Sequence, residues 1–425
     1  MVRLSGAPRA YAHMITSFVV SDGTRAAVGR TTGRVIVVGV AADGVHAVSE
    51  ELAGSGTLVV GAARHLGLLP PVRGQARLPL PSPLRAGLAE IVTAHRDTTV
   101  VVLASGDPLV SGIGSVLIDI LGPDSVEIRP AVSSVALARA AMRWPAESHG
   151  LVSVVGRDVS VVLRDLAPGR RLLVLSSDEL TPRLLGALLV EAGYGSSLLT
   201  VLGNLGGDES RLDLDAFAAA AGVVAEFPRL NIVAIQCVGE LIAGWTAGVP
   251  DSLLTGVETP LPRDVRAAAL ALLGPVPGGR LWDIGRGAGP VAVEWLRAHP
   301  TCLATAVVPD VAAAGPIGGL AARLGVPRLP VAVGTAPSVL AGLARPDAVH
   351  LGPGAAAARL AAVCLGALRP GGRLVAHAVG EGEAARLLEL QHRFGGQLTR
   401  IGCEVRTPSG WVPGYAVTRW ALTIA

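Results

Sequence analysis

The chain contains no lysine: all 36 basic residues among its 425 are arginine. That excludes imine chemistry on a lysine amine. It leaves every strong cationic contact to guanidinium groups, which grip carboxylates through paired hydrogen bonds, although biased genomic composition is the simpler origin. Aromatic residues make up only 3% and the net charge is +3, so neither stacking rings nor a basic field points to nucleic acid. The four cysteines, Cys237, Cys302, Cys364 and Cys403, lie far apart without a C-x-x-C pair. Such spacing argues against a disulfide framework and against zinc, and it fits a reducing cytoplasm. No apolar run is long enough to span a bilayer before Gly, Pro or a charge interrupts it. Residues 1–32 lack the basic start, apolar stretch and small-residue cleavage site of a secretion signal; they are expected to form a poorly ordered extension.

Half of the residues are hydrophobic, ample for the cores of two or three domains. Strands are expected at Arg34–Val40, Thr57–Val60, Thr98–Ala104 and Val126–Arg129, with helices near Leu84–His95, Leu109–Leu121 and Ser134–Met142. This alternation means an α/β fold with a mainly parallel sheet. Trp144 and Pro145 close that unit, and a smaller one follows with strands at Leu151–Val155, Arg171–Leu175, Ser197–Val201 and Asn231–Cys237. Residues 241–258 are irregular and read as a linker. A new series opens with a helix at Arg263–Leu273 and a strand at Arg280–Ile284, and helices and strands are expected to alternate to the C-terminus.

Two strand-end turns carry the chemistry. Asp283-Ile-Gly285-Arg-Gly287-Ala-Gly289 has the spacing D-x-G-x-G-x-G. A dinucleotide turn reads G-x-G-x-x-G and lacks the preceding acid. The acid suits a ligand with an ammonium group and no pyrophosphate, as in S-adenosylmethionine; an ordinary strand-to-helix turn is the plainer reading. The second turn, Ser105-Gly106-Asp107-Pro108, is weak alone, because Asp107 would serve equally well to cap the next helix. It gains weight from Gly39 after the first strand, from Ser134 at a helix start, and from the strand holding Ala234. Arg64 and His65 are candidates for holding substrate carboxylates. His350 and His377 are placed at strand ends, where open α/β sheets gather functional groups. Trp282 reads as core, and Glu294 as a packing or surface residue.

These ordered motifs resemble the two-module precorrin-6Y C5,15-methyltransferases (decarboxylating) of corrin biosynthesis. Trp282 to Trp295 resembles their first donor motif, Arg263-Asp-Val-Arg266 a helix start, and Leu368 to Ala376 the approach to the fifth strand. The N-terminal set, with Gly61 to Leu66, Leu175 to Asp178 and Leu202 to Gly207, resembles the tetrapyrrole methylases. The resemblance implies a two-lobed tetrapyrrole methylase fold over residues 33–240, with lobes of about 33–148 and 149–240, and a Rossmann-like class I methyltransferase fold over 259–425. It implies S-adenosylmethionine bound by Gly39, Gly106, Asp107, Ser134 and Ala234 in one module and by Asp283, Gly285, Gly287 and Gly289 in the other. Arg64, His65 and His377 would face the precorrin. Methylation at carbons 5 and 15 and loss of CO2 from the carbon-12 acetate would follow, with no metal, no nucleic acid, no membrane, and self-association into a homo-oligomer. Four polar family positions are replaced, by Pro262, Val308, Thr335 and His377. Alternative readings therefore leave only the N-terminal module active, or make the chain a tetrapyrrole-binding scaffold. A nicotinamide oxidoreductase is disfavoured by the turn spacing and by Val308.

Overall fold

The computed structural model describes residues 33–424 except 43, 45–46 and 258–260; the expected extension, residues 1–32, lies outside them. Three sheets follow one another along the chain. The first holds β1 (Val35–Val40), β2 (Leu58–Gly61), β3 (Ala76–Pro79), β4 (Val100–Ser105) and β5 (Val126–Arg129) in the order β3-β2-β4-β1-β5, all parallel. Every residue of β1 is buried. Val35 and Val37 enter one apolar cluster and Ile36, Val38 and Val40 another. A strand covered on both faces reads as an unbroken apolar run, which is why Val-Ile-Val-Val is so legible.

The second sheet holds β6 (Gly150–Ser153), β7 (Arg171–Leu175), β8 (Leu198–Gly203), β9 (Ser210–Asp215) and β10 (Asn231–Gln236) in the order β6-β7-β10-β8-β9. Only its β6–β7 pair is parallel. One face is sealed by the helix Ser134–Met142: Val135, Ala138 and Trp144 pack with Leu173, Leu175, Leu202, Ile232 and Ala234. The helix after the first sheet thus forms the apolar joint between the lobes.

The third sheet holds β11 (Arg280–Ile284), β12 (Leu303–Val308), β13 (Val331–Val333), β14 (Ala348–Leu351), β15 (Arg373–Val379), β16 (Gln397–Thr407) and β17 (Gly410–Thr423) in the order β13-β12-β11-β14-β15-β17-β16. The first five are parallel, and β17 runs antiparallel to β15 and β16. The expected alternation to the C-terminus fails here. After the helix Glu381–Phe394 the chain makes a long hairpin, because Gly395 and Gly396 (φ 76° and 88°) stop the helix and Ser409-Gly410 turns the strand back. The order reverses direction between β11 and β14, which places a ligand crevice at their carboxyl ends.

The segment read as a linker is irregular but anchored. Ala243, Val249 and Leu254 are buried in the same apolar cluster as β11 and β12. Trp245 donates to the Arg164 carbonyl at 3.2 Å and lies under the Arg170 guanidinium. Among the described residues no helix is long and apolar enough to cross a membrane.

Candidate functional site

In the first sheet the carboxyl ends of β1, β4 and β5 converge. A Cβ placed on Gly39 would lie 2.1 Å from the Gly106 carbonyl oxygen and 2.5 Å from the Ala131 nitrogen. Only glycine permits that approach. Gly106 (φ 54°) donates to the Val40 carbonyl at 2.7 Å and accepts from the Ala131 N–H at 3.1 Å. Three separate turns are thereby stitched by backbone hydrogen bonds into one floor. Asp107 follows, and its Oδ1 accepts the Leu109 N–H at 2.8 Å, so this carboxylate shapes its own turn. Ser134, expected at the floor, is the exposed first residue of its helix. The capping hydroxyl is Ser133, which accepts the Ala136 N–H at 3.1 Å. Ala234 sits in the middle of β10, 1% exposed under the joining helix, and not at the floor.

Arg64 and His65 stand at the neighbouring strand ends. Arg64 donates to Ser105 Oγ at 2.7 Å and to His65 Nε2 at 3.2 Å. Burial first, then the Arg64 charge, holds His65 down at about 4, so its ring is neutral at physiological pH. Arg64 is itself lowered by burial and by the like charge of Arg229 in the second lobe. Arg229 also lines a cleft of about 530 Å³ with Glu179, Arg183 and Phe227. Two guanidinium groups from opposite lobes are thus near enough for their charges to act on one another. Arg229 had no sequence signal.

The C-terminal turn is built differently. Asp283 has no exposed surface. Its Oδ2 accepts the N–H of Gly289 at 2.8 Å and of Ala292 at 3.0 Å, while Oδ1 accepts from His350 Nδ1 at 2.8 Å. The expectation that Asp283 meets a ligand ammonium directly is thus corrected in placement: it lies beneath the turn and fixes its curve. Gly285 (φ 138°) and Gly289 (φ 124°) supply conformations that side chains rarely adopt, and Gly287 lies half-buried between them. Above the turn, Arg286 pairs with Asp310 at 3.1 Å, and Asp310 caps the helix Val311–Arg323. Asp310 is the first carboxylate after β12, and Val308 at the strand end is buried in the core.

His377 needs a firmer correction. It lies inside β15 with no exposure, so it does not face a substrate. Its Nδ1 meets His350 Nε2 at 3.2 Å, and His350 likewise lies within β14 rather than after it. Trp282 is core, as expected. Glu294 is neither simple packing nor surface: it binds Arg266 at 2.9 Å in a buried ion pair. No group of three or more His, Cys, Asp or Glu suited to a metal occurs among the described residues.

Residues 47–210 match the tetrapyrrole (corrin/porphyrin) methylases, and residues 261–424 the precorrin methyltransferase domain. A precorrin-6Y C(5,15)-methyltransferase (decarboxylating) of a Sinorhizobium species is 39% identical over 398 residues, spanning 91% of this chain and 95% of that protein. One from Mycobacterium tuberculosis is 37% identical, spanning 92% and 99%. A cobalt-precorrin-7 C(5)-methyltransferase of Salmonella typhimurium is 34% identical over 154 residues, 36% of this chain and 75% of that protein.

Proposed function

Because the chain belongs to the precorrin-6Y C5,15-methyltransferase (decarboxylating) family, we propose that it methylates a precorrin at carbons 5 and 15 and removes CO2 from the carbon-12 acetate, in cobalamin biosynthesis. The observation that carries this reading is the match to such enzymes across both modules, at 39% identity over 95% of one relative. In each module parallel strands also end in a glycine turn.

S-adenosylmethionine, when bound, supplies an electrophilic methyl group. The residues present fit it: the Gly39 and Gly106 floor leaves no room for a side chain, and the Gly285 to Gly289 turn bares backbone groups above a buried carboxylate. Gly39, Gly106, Asp107 and Ser133–Ser134 would hold it in the N-terminal module; Gly285, Gly287, Gly289 and Asp310 would do so in the C-terminal one, with Asp283 underneath. Ala234 would contribute packing. The nucleophile is a ring carbon, so the protein's task is to hold the reactants close and exclude water, not to move a proton. Arg64 and Arg229 would bind peripheral carboxylates of the precorrin, with neutral His65 orienting Arg64. Loss of CO2 leaves an electron pair that the conjugated macrocycle accepts, and one solvent proton completes the methyl group. We assign carbon 5 to the N-terminal module, and carbon 15 with the decarboxylation to the C-terminal one.

Module boundaries near residues 33, 240 and 259, a cytoplasmic location, a homo-oligomeric state, and independence from nucleic acid and membranes complete the proposal. Incubation with precorrin-6Y and labelled S-adenosylmethionine tests the central reading. The expected product gains two methyl groups and loses CO2; an unchanged precorrin mass overturns it.

A further inference from the structure

One row of side chains on the third sheet is polar where the row below it is apolar. Asp283 on β11 is in register with His350 on β14. His377 on β15 lies two residues beyond Val375, the partner of His350, and is in register with Arg419 on β17. Residues two apart on a strand share a face. The row beneath is therefore Leu281, Ala348, Val375 and Ala421, all in or against one apolar cluster. Asp283, His350 and His377 are 0%, 2% and 0% exposed.

With Asp283 ionised and both rings neutral, the hydrogen bonds admit one arrangement of the protons. Asp283 accepts two backbone N–H groups on Oδ2, so at Oδ1 His350 Nδ1 is the donor. In a neutral ring His350 Nε2 then accepts, and His377 Nδ1 must carry the proton it gives. That leaves His377 Nε2 as a bare acceptor with no partner among the described residues. Burial above all, with the Arg419 charge beside it, holds His377 well below the ordinary histidine range, in keeping with a neutral ring. His350 and Arg419 are the charged or titratable groups beside it on the two flanking strands. Asp283 lies a strand further off, and the overlying helix Arg263–Leu273 turns Arg266 toward Glu294 and Asp251 instead.

Resting on the functional reading above, we propose that His350 and His377 are positioning residues for the C-terminal methyl-donor site. They hold Asp283 in place, and Asp283 holds Gly289 and Ala292, the end of the turn and the start of the helix Pro290–Ala298. The N-terminal floor is stitched instead by backbone hydrogen bonds between its turns. A proton added to His377 Nε2 places a positive charge in a buried space beside Arg419 and disturbs the C-terminal turn alone.

The test uses the full chain and two readouts. Nitrogen NMR of the histidine rings in the unmodified protein is expected to show both His350 and His377 as Nδ1–H tautomers, with His377 untitrated through pH 6. An Nε2–H tautomer at either ring, or ordinary titration of His377, overturns the proposal whether or not any methyl is transferred. In activity, His350→Leu is expected to lower carbon-15 methylation about tenfold or more, the loss of a hydrogen bond to a charged group, with a raised KM for S-adenosylmethionine. His350→Asn, which keeps a donor toward Asp283, is expected to recover most of that loss. His377→Leu is expected to flatten the acid limb of carbon-15 methylation and leave carbon-5 methylation unchanged. Equal losses at both carbons, or no recovery by His350→Asn in a folded protein, contradict it. Absence of all transfer by the unmodified chain would instead overturn the functional reading, leaving the NMR result to decide this one.

Discussion

Arg266 donates from Nε to Glu294 Oε1 at 2.9 Å, with both side chains shielded from solvent. Around this pair the chain folds back on itself: Glu294 Oε2 accepts the N–H of Gly248 and of Val249, and Arg266 reaches the carbonyls of Val249 and Leu261. The ion pair thus fastens the irregular segment before the third sheet to the helices that flank β11. Removing one member of such a pair strands the other charge in the core, at a cost of about 3–5 kcal/mol. Glu294→Ala is expected to lower the thermal midpoint of the C-terminal module and to open residues 241–258 to proteases. An unchanged midpoint and cleavage pattern would show that the pair is dispensable.

Gly39→Ala probes the N-terminal floor. The added methyl would overlap the Gly106 carbonyl and the Ala131 nitrogen, both backbone atoms without freedom to move aside. Carbon-5 methylation is expected to drop by about tenfold or more, as befits displacement of reacting groups by a fraction of an ångström, while carbon-15 methylation persists. Product analysis by mass spectrometry distinguishes the two.

The two arginines give a test of substrate recognition. Arg64 and Arg229 carry like charges that act on one another, and a carboxylate between them would relieve that repulsion. Arg64→Ala and Arg229→Ala are each expected to raise the KM for precorrin about tenfold in carbon-5 methylation, one charge-assisted hydrogen bond apiece. A fall in kcat with unchanged KM would place these residues elsewhere in the reaction.

Acid stability follows from the buried histidines. An unfolded histidine titrates near 6.5, whereas folded His65 titrates at about 4 and His377 well below the ordinary range. Between those values the unfolded chain binds more protons, so stability is full above about pH 6.5 and is lost progressively as the pH falls. His65→Gln is expected to flatten part of the decline between pH 6 and 4, read by denaturant midpoints at each pH. Identical slopes in variant and parent would mean that His65 is solvated in solution.

Much of this architecture was legible in the sequence. Val126–Arg129, Ser134–Met142, Arg171–Leu175, Arg263–Leu273 and Arg280–Ile284 lie where apolar pattern and turn residues put them, because buried parallel strands and their helices carry strong local signals. The strands Ala76–Pro79 and Ser210–Asp215 escaped notice: they are short, largely exposed edges that carry no apolar run. The site was legible as turns and illegible as contacts. Asp283 and Gly39 announced themselves by glycine spacing, but His350 joins Asp283 across 67 residues. Ser134 and its neighbour Ser133 differ only in which hydroxyl caps the helix, a choice that backbone geometry makes.

Two separate methyl-donor sites in one chain predict distinct product masses for two single variants. Asp283→Ala removes the acceptor that shapes the C-terminal turn; Gly106→Val places a side chain against Ser133 and Val132 in the N-terminal floor, 2.8 Å from each even at Cβ. With precorrin-6Y and labelled S-adenosylmethionine, the first variant is expected to give a product methylated at carbon 5 alone, with its acetate intact. The second should give one methylated at carbon 15, decarboxylated, and bare at carbon 5. Loss of both methylations in either folded variant would contradict the account and require a single composite site.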